Sequence, residues 1–177
     1  MNQVPARVWV LRVALVGLVL LGLQTTITTE LRPFGVVVQL MLAFAASAGA
    51  ASGPGEGALA GFVLGIMYDL ATGTPIGATA LALAVGGYAA GWGRQYRIEP
   101  KWWILAGFTS FGAVVGETMV PLVRVLIGET GLFGDRLLIV LPVVGVSTAL
   151  LSIVLIPVAR WALLVRPSEI RVQSADA

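Results

Sequence analysis

The chain has 177 residues, of which 58% are hydrophobic and 11% charged, with a formal net charge of +2 and a mean hydropathy of +0.94. A soluble domain of this length has too little polar surface to cover so much apolar area, so the composition specifies a polytopic membrane protein. There is no cysteine and no histidine, which excludes disulfides, thiol nucleophiles, Cys/His metal sites, Ser-His-Asp triads and histidine proton relays.

Hydropathy and turn punctuation predict six membrane spans, each roughly 15–25 residues. The first covers 8–27. Arg7 and Arg12 precede its apolar run, and Gln24-Thr25-Thr26 follows where a signal peptide would place a small-x-small cleavage site, so it is expected to be an uncleaved span. The second, 34–51, begins after Arg32-Pro33, and Ser52-Gly53-Pro54-Gly55 turns the chain into the third, 56–70. Thr72-Gly73-Thr74-Pro75 leads to the fourth, 76–92. A polar loop at 94–101 precedes the fifth, 102–127, and a loop at 128–135 precedes the sixth, 137–165. The sixth is long for a single span, roughly 40 Å by helical rise, and Pro142 and Pro157 within it predict kinks or tilt. Residues 1–165 therefore form one transmembrane domain and 166–177 a polar cytoplasmic tail. No internal repeat and no soluble domain is evident.

With the N-terminus inside, the cytoplasmic segments carry Arg7, Arg12, Arg94, Arg97, Lys101, Arg160, Arg166 and Arg171, while Arg32, Arg124 and Arg136 fall on the other side. This bias places both termini in the cytoplasm. Trp92, Trp102, Trp103 and Trp161 flank the inner interface, as belt tryptophans do. The loop 94–101 fixes topology, with contact to anionic lipid or a cytoplasmic partner as the alternative.

The densest pattern is a row of small residues four apart, Gly57, Gly61, Gly65, Asp69, Gly73 and Gly77. A step of four drifts slowly around a helix, so the row to Asp69 forms a smooth strip on one face, ending in a carboxylate. Such a strip receives another helix closely, either a partner's or one of the protein's own. Asp69 is an anchor for a partner or for nearby loops, or else an interfacial residue that snorkels or pairs with Arg32 or Arg136. An acid at a helix C-terminus opposes the macrodipole, which argues for a specific partner group. Gly87 with Gly91 and Gly112 with Gly116 make two further small-residue pairs suited to packing.

Glu117 lies inside the fifth span, with Pro121 at i+4 and Arg124 at i+7. Glu117 and Arg124 are a candidate buried polar site for binding or a proton, or an internal pair that holds the proline kink. No nucleotide-binding loop, zinc-protease motif or aspartate-rich lipid-transferase motif is present, and nothing in the spacing brings Asp69 to Glu117. An enzyme is not expected, nor are a metal or a cofactor.

The stretch Gly61-Phe62-Val63-Leu64-Gly65-Ile66-Met67-Tyr68-Asp69-Leu70, followed by Gly73-Thr74-Pro75-Ile76-Gly77, resembles the rod shape-determining MreD family. That family has a G-F-x-x-G-hydrophobic-x-x-D-L pattern, then a G-x-x-x-G turn into the next span. Arg32-Pro33-Phe34 looks like the same family's loop, and chain size and span number agree. The motif covers about residues 57–90, while the fifth and sixth spans match only in character. The family's second loop often carries basic or aromatic residues, and here it is the bare Ser52-Gly53-Pro54-Gly55.

The resemblance implies a non-enzymatic component of the bacterial cell-elongation machinery in the cytoplasmic membrane. Its partner would be the bitopic protein MreC and, indirectly, the MreB filament and the peptidoglycan glycosyltransferase–transpeptidase pair. It also implies an all-α six-helix bundle resembling the substrate-binding subunits of energy-coupling-factor transporters. The partner-binding residues would be Gly57, Gly61, Phe62, Gly65, Asp69, Gly73 and Gly77. The alternative is a vitamin-type small-molecule-binding subunit of a membrane transporter, although the outer loops offer few polar groups to cradle such a ligand.

Overall fold

The computed structural model describes residues 6–27, 35–96, 101–126, 128 and 137–164, apart from the side chains at 6, 7, 27, 95, 96, 124 and 126. Arg32-Pro33-Phe34, the middle of the loop 94–101, most of the loop 128–135, and the tail 166–177 lie outside the described residues. The described chain is all-helical, with six helices: α1 (Ala6–Ile27), α2 (Leu40–Ser52), α3 (Pro54–Thr72), α4 (Ala78–Gly91), α5 (Trp102–Leu126) and α6 (Leu137–Ala162). A 3₁₀ turn, Trp92–Tyr96, extends α4. Among the described residues, three segments are long and apolar enough to cross a membrane: Val8–Thr26, Trp102–Val123 and Leu137–Ala162.

The helices alternate in direction. Gly17 of α1 lies against Leu64 and Met67 of α3, Gly57 of α3 against Gly87 of α4, Gly86 of α4 against Gly112 of α5, and Gly145 of α6 against Ser110 and Val114 of α5. One end of the bundle, the proximal end, thus gathers the start of α1, the α2–α3 turn, the end of α4, the start of α5 and the end of α6. The opposite, distal end holds the α3–α4 turn. All five tryptophans, Trp9, Trp92, Trp102, Trp103 and Trp161, belong to the proximal end. Large apolar side chains such as Leu11, Leu15, Leu18, Leu138, Leu150 and Ile153 point outward along the long helices. Faces of that kind suit a lipid surrounding better than water.

The second helix is the axis of the bundle. Every residue from Met41 to Ala51 is buried, which its composition allows, because Ala, Gly and Ser let neighbouring helices close in from all sides. It begins at Leu40, six residues later than hydropathy predicts. The three consecutive β-branched residues Val36, Val37 and Val38 disfavour the helix, and residues 36–39 are not helical. The resulting 13-residue helix is about 20 Å long, short of the roughly 30 Å of a hydrocarbon core. The other five helices begin and end within three residues of the predicted spans. Pro121 lies inside α5, and Pro142 and Pro157 lie inside α6.

Candidate functional site

The row of glycines and Asp69 becomes the α3–α4 hairpin. Gly57, Gly61 and Gly65 are buried on one face of α3, and α4 of the same chain lies on that face. A Cβ added at Gly57 would fall on the carbonyl of Gly87, one at Gly61 on the carbonyl of Leu83, and one at Gly65 on the backbone of Ala80. Gly49 of α2 approaches Gly87 as well, so three backbones meet where Gly49, Gly57 and Gly87 cross. Contacts this close maximise dispersion attraction between helices that have no hydrophobic drive to associate in lipid. The strip is filled from within, and a second helix cannot occupy it while α4 is in place. Phe62, by contrast, is turned outward and is 43% exposed, with Leu59 and Leu70 also exposed on α3.

Asp69 lies in the last turn of α3 and is 1% exposed. Its Oδ1 accepts from the Thr74 hydroxyl at 2.8 Å and from the Thr79 amide at 3.2 Å, while its Oδ2 accepts from the Gly77 amide at 2.9 Å and the Ala80 amide at 3.4 Å. These amides belong to the first turn of α4 and the residue before it. Helix starts leave such donors unpaired, and Gly77, in the N-cap position, has no side chain to satisfy them. Asp69 therefore acts as a remote cap. Its position at the C-terminus of α3 is unfavourable for a carboxylate, but it also faces the positive end of the α4 dipole. The turn that allows this uses two left-handed glycines, Gly73 (φ 71°) and Gly77 (φ 100°), a conformation other residues adopt only with strain. Gly73 closes α3 by donating its amide to the Asp69 carbonyl at 3.0 Å. Arg32 and Arg136, the cations weighed as partners of Asp69, lie outside the described residues.

Glu117 is half-buried on α5, and its Oε2 accepts from Gln39 Nε2 at 2.6 Å. This bond ties the non-helical approach to α2 onto α5 across 78 residues of sequence. The Arg124 side chain lies outside the described residues. Asp69 and Glu117 thus work on different contacts, one within the α3–α4 hairpin and one between α5 and the approach to α2.

Two polar residues that sequence reasoning passed over take part in the same construction. Gln24, buried near the end of α1, accepts the Met41 amide in the first turn of α2 through its Oε1 at 3.1 Å. Gln39 is the second. The available signal was a lone amide in the apolar run Leu20-Leu21-Gly22-Leu23-Gln24. Buried hydroxyls, in contrast, serve their own helices: Ser47 donates to the Ala43 carbonyl at 2.7 Å and Thr109 to the Leu105 carbonyl at 2.7 Å.

The proximal end is cationic. Arg12 donates to the Trp161 carbonyl at 3.2 Å and lies over the Trp161 ring, 5.0 Å from its centroid, tying α1 to the last turn of α6. Arg94, in the 3₁₀ turn, is half-buried. Burial and the neighbouring Arg160 push its guanidinium below its ordinary pKa, and Glu56 opposes them. It stays a cation regardless.

Among the described residues no group of three or more acidic or histidine side chains is placed to hold a metal ion. In comparisons with known proteins, no family model, characterised protein or solved structure matches this chain.

Proposed function

We propose that this protein is a non-enzymatic membrane scaffold of the cell-elongation type, which holds the transmembrane helix of an MreC-like bitopic protein. In this reading all six helices form one transmembrane domain of the bacterial cytoplasmic membrane, with the proximal end and both termini on the cytoplasmic side. The tryptophans and arginines gathered at the proximal end support that orientation.

One observation carries the reading. The residues on which the family resemblance rests act as a single rigid unit: Gly57, Gly61 and Gly65 seat α4, Asp69 caps it, and Gly73 and Gly77 shape the turn. A rigid two-helix unit presents a fixed outer face, which suits a protein whose task is to hold a partner in place. Because α4 fills the glycine strip, the docking surface moves from the strip to the outer side of α3, where Phe62 and Leu70 are the large side chains of the motif left uncovered and Phe62 is the aromatic one. Asp69, Gly73 and Gly77 then act on the partner indirectly, by fixing the hairpin.

The transporter-subunit reading asks for polar groups turned towards a ligand. The acceptors of Asp69 and Gln24 are instead engaged by helix amides. The test is to co-express the protein with an MreC-like partner, extract both in mild detergent and measure co-purification. Phe62→Ala is expected to lower capture about fivefold, equivalent to ~1 kcal/mol, without changing thermal stability. Undiminished capture would overturn the docking face, and a saturable thermal shift with a vitamin-like ligand would favour the transporter subunit.

A further inference from the structure

The scaffold reading makes no use of the seam between α1 and α6. The two helices touch over only a short stretch, and one polar contact closes it. Arg12 of α1 donates to the Trp161 carbonyl at 3.2 Å, and its Cζ lies 5.0 Å from the centre of the Trp161 ring. Carbonyl and ring together hold the planar guanidinium in place. Arginine has five N–H donors, and the carbonyl takes one of them. The other donors have no acceptor among the described residues, and no carboxylate there pairs with Arg12, although the residue is half-buried.

The surroundings of this cation are apolar. Leu15 and Val19, one and two turns from Arg12 towards the distal end, are exposed on α1. Pro157 and Val154, one and two turns from Trp161 in the same direction, are exposed on α6. A fixed cation thus stands at the proximal end of two apolar stripes on neighbouring helices. An exposed indole such as Trp161 settles at the level of lipid headgroups. A phospholipid matches both features: guanidinium pairs phosphate through a bidentate fork, and an acyl chain lies along the stripes. Arg160 precedes Trp161 in the last turn of α6, so a headgroup with its own ammonium is disfavoured against one that is simply anionic.

We propose that the α1–α6 seam binds an anionic phospholipid, with its phosphate on the Arg12 guanidinium beside Trp161 and an acyl chain along Leu15, Val19, Pro157 and Val154. Arg12 then holds a helix and a lipid at once, through different donors. The bound chain supports α1 on the side where the protein itself supports it least. The inference does not depend on the identity of any protein partner.

The chain has no cysteine, so one introduced thiol carries a fluorophore to a chosen point. Leu15→Cys places it beside the seam, and Phe111→Cys places it on the exposed face of α5 as a reference. The full chain is reconstituted in mixed phosphatidylglycerol and phosphatidylcholine vesicles in which one lipid or the other carries a nitroxide on its acyl chain. Quenching then reports which lipid lies beside the probe. Next to Leu15→Cys, phosphatidylglycerol is expected to be favoured about fivefold, the factor that one arginine near an anionic headgroup gives, and next to Phe111→Cys it is not. Adding Arg12→Gln should bring the first probe to the level of the second, whereas a purely structural clamp would alter stability and leave the lipid ratio unchanged. Equal quenching by the two lipids at the seam, an equal excess of phosphatidylglycerol at both probes, or an excess that survives Arg12→Gln would overturn the proposal. So would loss of the excess on adding inorganic phosphate at constant ionic strength, which would assign the cation to a soluble anion. If Arg12→Gln does not fold, the comparison of the two probes with Arg12 in place decides the question alone.

Discussion

Replacing Asp69 by Ala removes the acceptor for the start of α4 and leaves its donors in place. The Gly77 and Thr79 amides, at 2.9 and 3.2 Å, lose their partners outright, while the Ala80 amide, at 3.4 Å, loses a weak one. The Thr74 hydroxyl can turn elsewhere, since it already lies 3.1 Å from Thr72 Oγ1. A buried donor without an acceptor costs about 1–3 kcal/mol, so two part-buried amides at about 1.5 kcal/mol each give a loss of about 3 kcal/mol. That exceeds the ~1 kcal/mol of a typical exposed helix cap, because this one is buried. Asp69→Asn keeps one carbonyl oxygen but aims an NH₂ at amide donors, and should lose roughly half as much. Unfolding in mixed micelles of increasing SDS content measures the total. Amide exchange locates it, with the protection of Gly77 and Thr79 expected to fall about 100-fold for Asp69→Ala. If Asp69→Ala unfolds within ~0.5 kcal/mol of the unaltered protein and these two amides exchange at their original rates, the remote-cap account is wrong. Reduced partner capture with stability unchanged would make Asp69 a direct partner contact.

Other consequences follow from the packing. Gly61→Ala drives a methyl group into the Leu83 carbonyl and should destabilise the hairpin by at least 1–3 kcal/mol in the same SDS titration. Gly107→Ala, with no atom within 4 Å of the added carbon, should be neutral or stabilise by up to ~1 kcal/mol, and an equal loss at both positions would contradict the geometry. A double-mutant cycle of Gln39→Ala with Glu117→Ala should give a coupling of about 1–2 kcal/mol, as a short charge-assisted bond implies, and additive effects would show that the bond does not form. Gln24→Leu should speed exchange of the Met41 amide while leaving the start of α4 unchanged, and uniform loosening of both helices would count against a local role.

Much of the fold was legible because hydropathy marks apolar helices and glycine with proline marks their ends. Gly53-Pro54 and Gly73-Thr74-Pro75 bracket α3 in the sequence as they do in the structure. The start of α2 was not legible by that means. Val36-Val37-Val38 is as apolar as the helix that follows, and hydropathy does not sense the cost of β-branching in a helix. The glycine row announced close packing, but its period carries no information about which helix arrives, and α4 fills it. The role of Asp69 was half-visible. Its partners lie within the next eleven residues, and a glycine at the head of α4 already implies that the cap must come from elsewhere. Gln39 and Glu117, 78 residues apart, meet only through the fold.

The buried polar residues share one physical origin. An ionisable or amide side chain within an apolar span is commonly taken as a sign of ligand or proton chemistry. Here α2 and α4 are short, 13 and 14 residues, and neither has a capping hydrogen bond from its own N-cap side chain, at Gln39 or at Gly77. Each helix reaches a buried residue within its first turn, Met41 in α2 and Ala80 in α4, where water has little access to a free amide. Leaving such donors bare would cost several kcal/mol in an apolar surrounding. A neighbouring helix supplies the acceptor in each case: Gln24 of α1 for α2, and Asp69 of α3 for α4. The geometry makes each acceptor a condition for a short helix to end inside the protein. A lone polar residue near the end of an apolar helix is therefore best tested first against the nearest helix start, since a cap of this kind needs one acceptor and no ligand.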